Sequence, residues 1–313
     1  MSVILLSCLS ALMLAPVPKD YIWWAPPHEY LKDHAIVEKD GVYHLFSICG
    51  TAGQDWLLPW RNGNEERFLH ATSKDLRTWQ VEGYVLRPGD TGSPDASKIW
   101  APHIIKHEST YYMFYTGVTH EKEEGWSDHV ETICLATSTD LTNWTKHTAN
   151  PVFRAPEWAE HTTAPIACRD PMVMRDDEGK RWIMYYTALV RKDDKLQSAV
   201  GVAVSTDLLK WDDVGCIVTD ERNGSTESCF VTKRSGKYYL FMNDRLSVSD
   251  DPITGWSEPK PYAGRPAGFA GEILEHKGHQ LRTAIGKDDK HFHITVTKIM
   301  WRTDNCSFEP YAL

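Results

Sequence analysis

Four acidic residues of the 313-residue chain recur at comparable points of a repeating pattern: Asp33 in K-D-H, Asp170 in C-R-D-P, Glu227 in S-T-E-S-C and Glu272 in A-G-E-I. Each stands just ahead of a strand, a polar turn and an aromatic strand. A further segment of the same kind is preceded instead by W-A-P-H, Trp100 to His103. Carboxyls gathered in one pocket have raised and split pKa values, because like charges resist joint ionisation. One can then stay protonated as an acid while another remains a base, which is the equipment for glycoside hydrolysis. Arg169, beside Asp170, is placed to keep that carboxyl ionised. His103 suits a hydrogen bond to a sugar hydroxyl, the orientation of a carboxylate or the holding of an ion. A single Asp or Glu near a turn is ordinarily a solvated cap; recurrence at four of five repeats is what argues for a shared site.

The elements that must bring these residues together are legible as repeats. One phrase opens at Ala71 (A-T-S-K-D-L-R-T-W), returns at Ala136 (A-T-S-T-D-L-T-N-W) and at Ala203 (A-V-S-T-D-L-L-K-W), and has a worn copy at Ser247 (S-V-S-D-D-P-I-T-G-W). Alternating apolar residues before it predict a strand. Its Ser and Asp oxygens accept from nearby backbone N–H groups and staple a turn, and its Trp anchors the returning chain. Between the copies lie strand–turn–strand units at Ala35–Phe46, Ile104–Tyr115, Met172–Tyr186, Phe230–Phe241 and Ile273–Ala284, with the hairpin signals Asp40-Gly41 and Ser235-Gly236. Repeats at such intervals mark solenoids or propellers. The expectation is an all-β five-bladed β-propeller over residues 20–313, with four-stranded antiparallel blades around a central channel. The innermost strand of each blade lines that channel, so acids distant in sequence become neighbours.

Composition is ordinary for a globular chain, 42% hydrophobic and 25% charged. A net charge of −9 disfavours nucleic acid as a partner. Residues 1–15 carry no charge, and Val3–Ala15 reads as a signal-peptide core, too short to span a membrane; the expected location is secreted or periplasmic. Six cysteines follow, Cys49, Cys134, Cys168, Cys216, Cys229 and Cys306, without the C-x-x-C spacing of a zinc site. An exported protein offers conditions in which some of them pair. Of the tryptophans outside the repeat phrase, Trp56 and Trp60 fall in a long loop of the first blade, where sugar-stacking residues are often carried; Trp23, Trp24 and Trp126 are the others.

The W-A-P segment with Y-Y-M-F-Y, the T-E-S segment with K-Y-Y-L-F, and S-x-S-D-x-x-x-G-W at Ser247–Trp256 resemble the five-bladed propellers of glycoside hydrolase family 43. C-R-D-P resembles a motif of family 32, the more distant likeness. The resemblance implies a glycosidase acting on an oligo- or polysaccharide, with Asp33 as general base (family 43) or nucleophile (family 32). Asp170 would tune the acid and steady the transition state, and Glu227 would be the general acid. Trp100, His103, Arg169, His34, Glu272 and Trp56 are the candidates for substrate contact. No cofactor is required, although a calcium or sodium ion near the axis is compatible with such propellers. Three departures are visible. The first-blade motif is Asp33-His34 rather than D-P; Ser228 separates Glu227 from Cys229; and no β-sandwich segment follows the repeats. The expected activity is a family-43-like glycosidase on arabinose-, xylose- or galactose-containing glycans. The alternatives are a family-32-like β-fructosidase and a non-catalytic carbohydrate-binding propeller. No oligomeric state is assigned.

Overall fold

The computed structural model describes residues 22–53, 64–120, 128–162, 165–222, 224–264, 268–287 and 292–311. The leader and Trp56, Trp60 and Trp126 lie outside them. Among the described residues every regular element is a strand, and no helix is long and apolar enough to cross a membrane.

The strands form five antiparallel sheets, as the repeats predict. Blade I runs outward from Glu29–Lys39 through Val42–Thr51 and Phe68–Ser73 to Gln80–Val85. Blade II has Lys98–His107, Thr110–His120 and His129–Ser138, with its outer position shared by Thr145–Lys146 and Phe153–Arg154. Blade III comprises Cys168–Asp176, Arg181–Lys192, Lys195–Ser205 and Asp212–Asp220; blade IV comprises Phe230–Arg234, Lys237–Phe241, Arg245–Ser249 and Lys260–Pro261. Blade V holds Phe269–His276, His279–Lys287 and Phe292–Trp301. Two short strands from opposite ends of the sequence complete it. Ile22–Trp24 pairs with residues 294–296 of Phe292–Trp301, and Cys306–Pro310 pairs with residues 297–301. The ring is therefore closed by hydrogen bonds within one blade. Trp24 adds packing across the seam, its ring 5.8 Å from that of Trp79 in blade I.

Apolar alternation on both faces of each sheet gives five cores, one between each pair of adjacent blades. The repeat phrase supplies their outer anchors. In blade III, Ser205 Oγ accepts from the backbone N–H of Asp207 (3.1 Å) and Leu208 (2.9 Å), while Asp207 Oδ1 accepts from Leu209 and Lys210 (2.9 Å each). The same staple recurs at Ser73/Asp75, Ser138/Asp140 and Ser249/Asp251. It holds Leu76, Leu141 and Leu208 at φ of 60°, 72° and 67° while they pack fully buried, a conformation that an L-residue adopts only when its surroundings hold it there. Replacing Ser205 by Ala leaves the buried Leu208 N–H without its acceptor. The expected loss is about 1–2 kcal/mol, read as a lower urea midpoint at an unchanged m-value.

All six described cysteines are free thiols, with Cys216 exposed and the other five buried. The pairing anticipated for an exported chain is absent among the described residues, because the thiols are dispersed through separate strands and cores as small apolar side chains.

Candidate active site

Near the start of four of the five inner strands the ladder breaks. Pairing shifts register between Leu31 and His34, between Trp100 and His103, between Arg169 and Met172, and between Phe269 and Glu272. Within these bulges Ala101, Asp170 and Ala270 have φ of 44°, 54° and 47°; Ser228, just ahead of the blade IV inner strand, has 50°. Strained residues of this kind persist where the fold over-determines them, and they cluster at functional sites. The acids do not occupy one register of the bulge. Asp170 is the left-handed residue itself, Glu227 precedes the left-handed Ser228, Asp33 is the last residue within its bulge, and Glu272 follows its own.

That difference divides the acids. Asp33, Asp170 and Glu227 are joined through two residues. Ser228 donates its hydroxyl to Asp33 Oδ1 (2.6 Å) and its backbone N–H to Asp170 Oδ2 (3.0 Å). Arg169 donates from one Nη to Glu227 Oε1 (2.6 Å), and its Nε lies 3.7 Å from Asp170 Oδ2. Thr187 Oγ1 also donates to Asp170 Oδ2 (3.3 Å), and Thr116 Oγ1 accepts from the Asp170 backbone N–H (3.0 Å). Gly224, at φ +75°, leaves room for the acid: a Cβ there would stand 3.2 Å from Glu227 Oε2.

Glu272 makes a different set of contacts. Its Oε1 is 3.2 Å from His103 Nδ1, and its Oε2 accepts from the Ile36 N–H (3.0 Å). His34 occupies the corresponding register in blade I, and its Nε2 lies 2.8 Å from Thr283 Oγ1. These three line the axial pocket together with Asp33, Asp170 and Ser228. His103 has both ring nitrogens engaged, the second with the Val173 carbonyl at 3.0 Å. Trp100 is 7% exposed, in the core between blades I and II, with its ring edge-on to His129 at 5.8 Å. It is packed as support, with little ring face left for a sugar. Among the described residues no group of three or more His, Cys, Asp or Glu forms a metal-ligand set.

A second buried group lies behind the acids. Glu131 Oε2 accepts from the other Nη of Arg169 (3.1 Å), and His129 Nε2 is 2.9 Å from Glu131 Oε1. Arg169 thus bridges Glu131 and Glu227 and lies 3.7 Å from Asp170, so its guanidinium ties the acids together. Sequence reading missed Glu131 and His129. Their signal was a His and a Glu two residues apart at the start of the strand His129–Ser138.

Burial sets the charge states. It pushes the Asp170 and Glu227 carboxyls above their usual range, against the pull of Arg169; nearby Asp33 adds to the rise at both. Glu131 is pulled below its usual range because Arg169 and His129 outweigh its desolvation. Burial and the Arg282 charge lower His34 to about 3, so it is a neutral imidazole. Beside Asp33, which its neighbour Ser228 orients, stand two carboxyls that burial disposes to keep their protons: Asp170, pushed up to about 8 and lining the axial pocket, and Glu227 next to it.

Fold and site together define a class: a five-bladed propeller with a carboxylate triad at the axial ends of blades I, III and IV. The chain belongs to glycosyl hydrolases family 32, whose N-terminal domain model matches residues 24–230. Its relatives include a probable sucrose-6-phosphate hydrolase of Psychromonas ingrahamii, 32% identical over 189 residues that cover 60% of this chain and 30% of that protein. Levanase of Bacillus subtilis is 26% identical over 171 residues, covering 53% of this chain and 22% of that one. The chain thus spans less than a third of the length of these relatives. Among solved structures, a Bombyx mori family-32 β-fructofuranosidase superposes with TM-score 0.71 at 16% identity, covering 93% of this chain and 65% of that one. A thermostable family-43 glycoside hydrolase gives 0.67 at 16%, covering 91% and 94%. The likeness to family 43 read from the motifs is met in the fold; family membership lies with family 32.

Proposed function

We propose that this chain hydrolyses glycosidic bonds of β-fructofuranosides, with Glu227 as general acid and Asp33 as nucleophile. The observation that carries this is the linkage of three carboxyls through Ser228 and Arg169. Glu227, its carboxyl pushed above the usual range by burial, gives its proton to the leaving-group oxygen. Asp33, held by the Ser228 hydroxyl, attacks the anomeric carbon and forms a glycosyl ester. Glu227, now ionised, takes a proton from water, which opens the ester and restores both groups. Asp170, fixed by the Ser228 N–H and Thr187 and with its carboxyl pushed up to about 8 by burial, stays beside both acids and helps set the acidity of Glu227. The choice of fructose over arabinose, xylose or galactose is supported by membership in family 32 and by relatives named for sucrose-6-phosphate and levan hydrolysis.

The test is a substrate panel of sucrose, sucrose-6-phosphate, inulin, levan and aryl arabinofuranosides, with the anomeric product followed by NMR. Fructose release with retained configuration is expected. Cleavage of the arabinofuranosides alone, or an inverted product, overturns this assignment.

A further inference from the structure

A second cavity of about 570 Å³ opens on the side of blade I that faces blade II, away from the acids. It falls within the volume usual for small-molecule sites. His44 pairs with Val37 of the inner strand, placing it four residues along that strand from Asp33, toward the Asp40-Gly41 hairpin. The walls come from Lys39, His44, His70, Thr72, Glu82 and Tyr84, with Thr142 reaching across from blade II.

Three rings meet here. Phe46 lies in the core between blades I and II and stacks on His70 at 4.5 Å and 8°. His70, 3% exposed, lies edge to edge with His44, their centroids 5.3 Å apart and their planes within 18°. His44 is half-buried, so the pair extends its outer ring to the cavity. His44 Nδ1 is 3.0 Å from His70 Nε2, which fixes both planes. Burial lowers both imidazoles below their usual range, so they are neutral at ordinary pH. Thr72 donates to Glu82 at 2.7 Å, holding a carboxylate at the wall. Tyr84 at the rim is clamped by Arg67 over its ring (4.4 Å) and donates its hydroxyl to Glu29 (2.8 Å).

The composition of this wall selects its ligand. Lys39 stands with Asp40 and Glu82 beside uncharged imidazoles, so the wall carries at most a single net negative charge. Among the described residues no set of three or more metal-ligating side chains exists. What remains is a rigid ring platform edged by hydroxyl-pairing groups, the combination that suits a neutral, multiply hydroxylated ring with one apolar face. We propose that the cavity between blades I and II is a second carbohydrate-binding site, distinct from the axial pocket, with His44 as its stacking platform and Thr72 and Glu82 as its hydroxyl partners.

The probes are short inulin-type and levan-type oligosaccharides, titrated into the Glu227→Gln protein to prevent turnover, with wild type at low temperature as a parallel sample. Imidazole signals of His44 and His70 are followed by NMR. Saturable shifts of both are expected in both proteins, and they do not depend on whether the axial site hydrolyses anything. His44→Ala is expected to weaken this binding about tenfold and to leave hydrolysis of sucrose unchanged. His44→Phe, which keeps a platform and fills the same space, retains most of it and guards against loss through misfolding. Absence of His44 and His70 shifts with both probes, or equal binding by wild type, His44→Ala and His44→Phe, overturns the proposal whatever the catalytic outcome.

Discussion

Replacing Glu227 by Gln is expected to lower kcat/KM on sucrose by about 10²–10⁴-fold, the range that a positioned general acid contributes. The amide keeps the shape of the side chain and can still meet Arg169, whose Nη lies 2.6 Å from Oε1. What it lacks is a proton to give. The deficit is therefore greatest where the leaving oxygen is most basic. An aryl fructoside, whose phenolate departs without help, should lose far less in its first step. Measuring both substrates with wild type and variant separates proton donation from loss of the fold. Equal losses on the two would mean that Glu227 does not act as the acid. Asp33→Asn should cost as much on either substrate, since the bond that it forms is needed whatever the leaving group.

The second large effect is expected at Arg169, through stability. Its guanidinium lies between Glu131 and Glu227, with Asp170 at 3.7 Å. Glu131 is 2% exposed. Arg169→Met fills similar space and removes the only cation bonded to Glu227 among the described residues. Breaking a buried ion pair from one side costs about 3–5 kcal/mol, because the remaining charges stay desolvated. The sign of the pH dependence follows. Without Arg169 the buried carboxyls have folded-state pKa values raised above their unfolded values. Protonated carboxyls are then tolerated in the fold at low pH, and stability is lost as pH rises through the raised folded values. Denaturant unfolding at acid and neutral pH should thus show a small deficit at the first and the full deficit at the second. A deficit that does not change with pH would mean that packing, rather than charge, is what Arg169 supplies. In wild type the same arginine pulls Glu227 down against burial, so the alkaline limb of any residual activity should move to higher pH in the variant.

These expectations rest on parts of the molecule that differ in how they are encoded. The blades are local. A Ser-x-Asp staple bonds backbone groups two and three residues away, so the phrase beginning at Ala71 carries its own turn and shows itself by recurrence, while its Trp ring packs on a neighbouring blade. The ring closure already depends on the two ends of the chain meeting in blade V, which no local signal announces.

The site is less local still. Sequence determined that Asp33, Asp170 and Glu227 stand at the mouths of inner strands, because hairpin register is set by turns and alternation. It suggested a shared position for all four acids, and tertiary structure decided otherwise. Bulges and left-handed residues shift the register by single residues, and one residue in an extended chain reverses the direction of a side chain. Asp33, Asp170 and Glu227 are thereby gathered around Ser228 and Arg169, while Glu272 is turned to His103 and Ile36. Tertiary structure alone placed Glu131 and His129 behind Arg169, since a buried charge is located by the neighbour that neutralises it, and here Arg169 comes from a different blade.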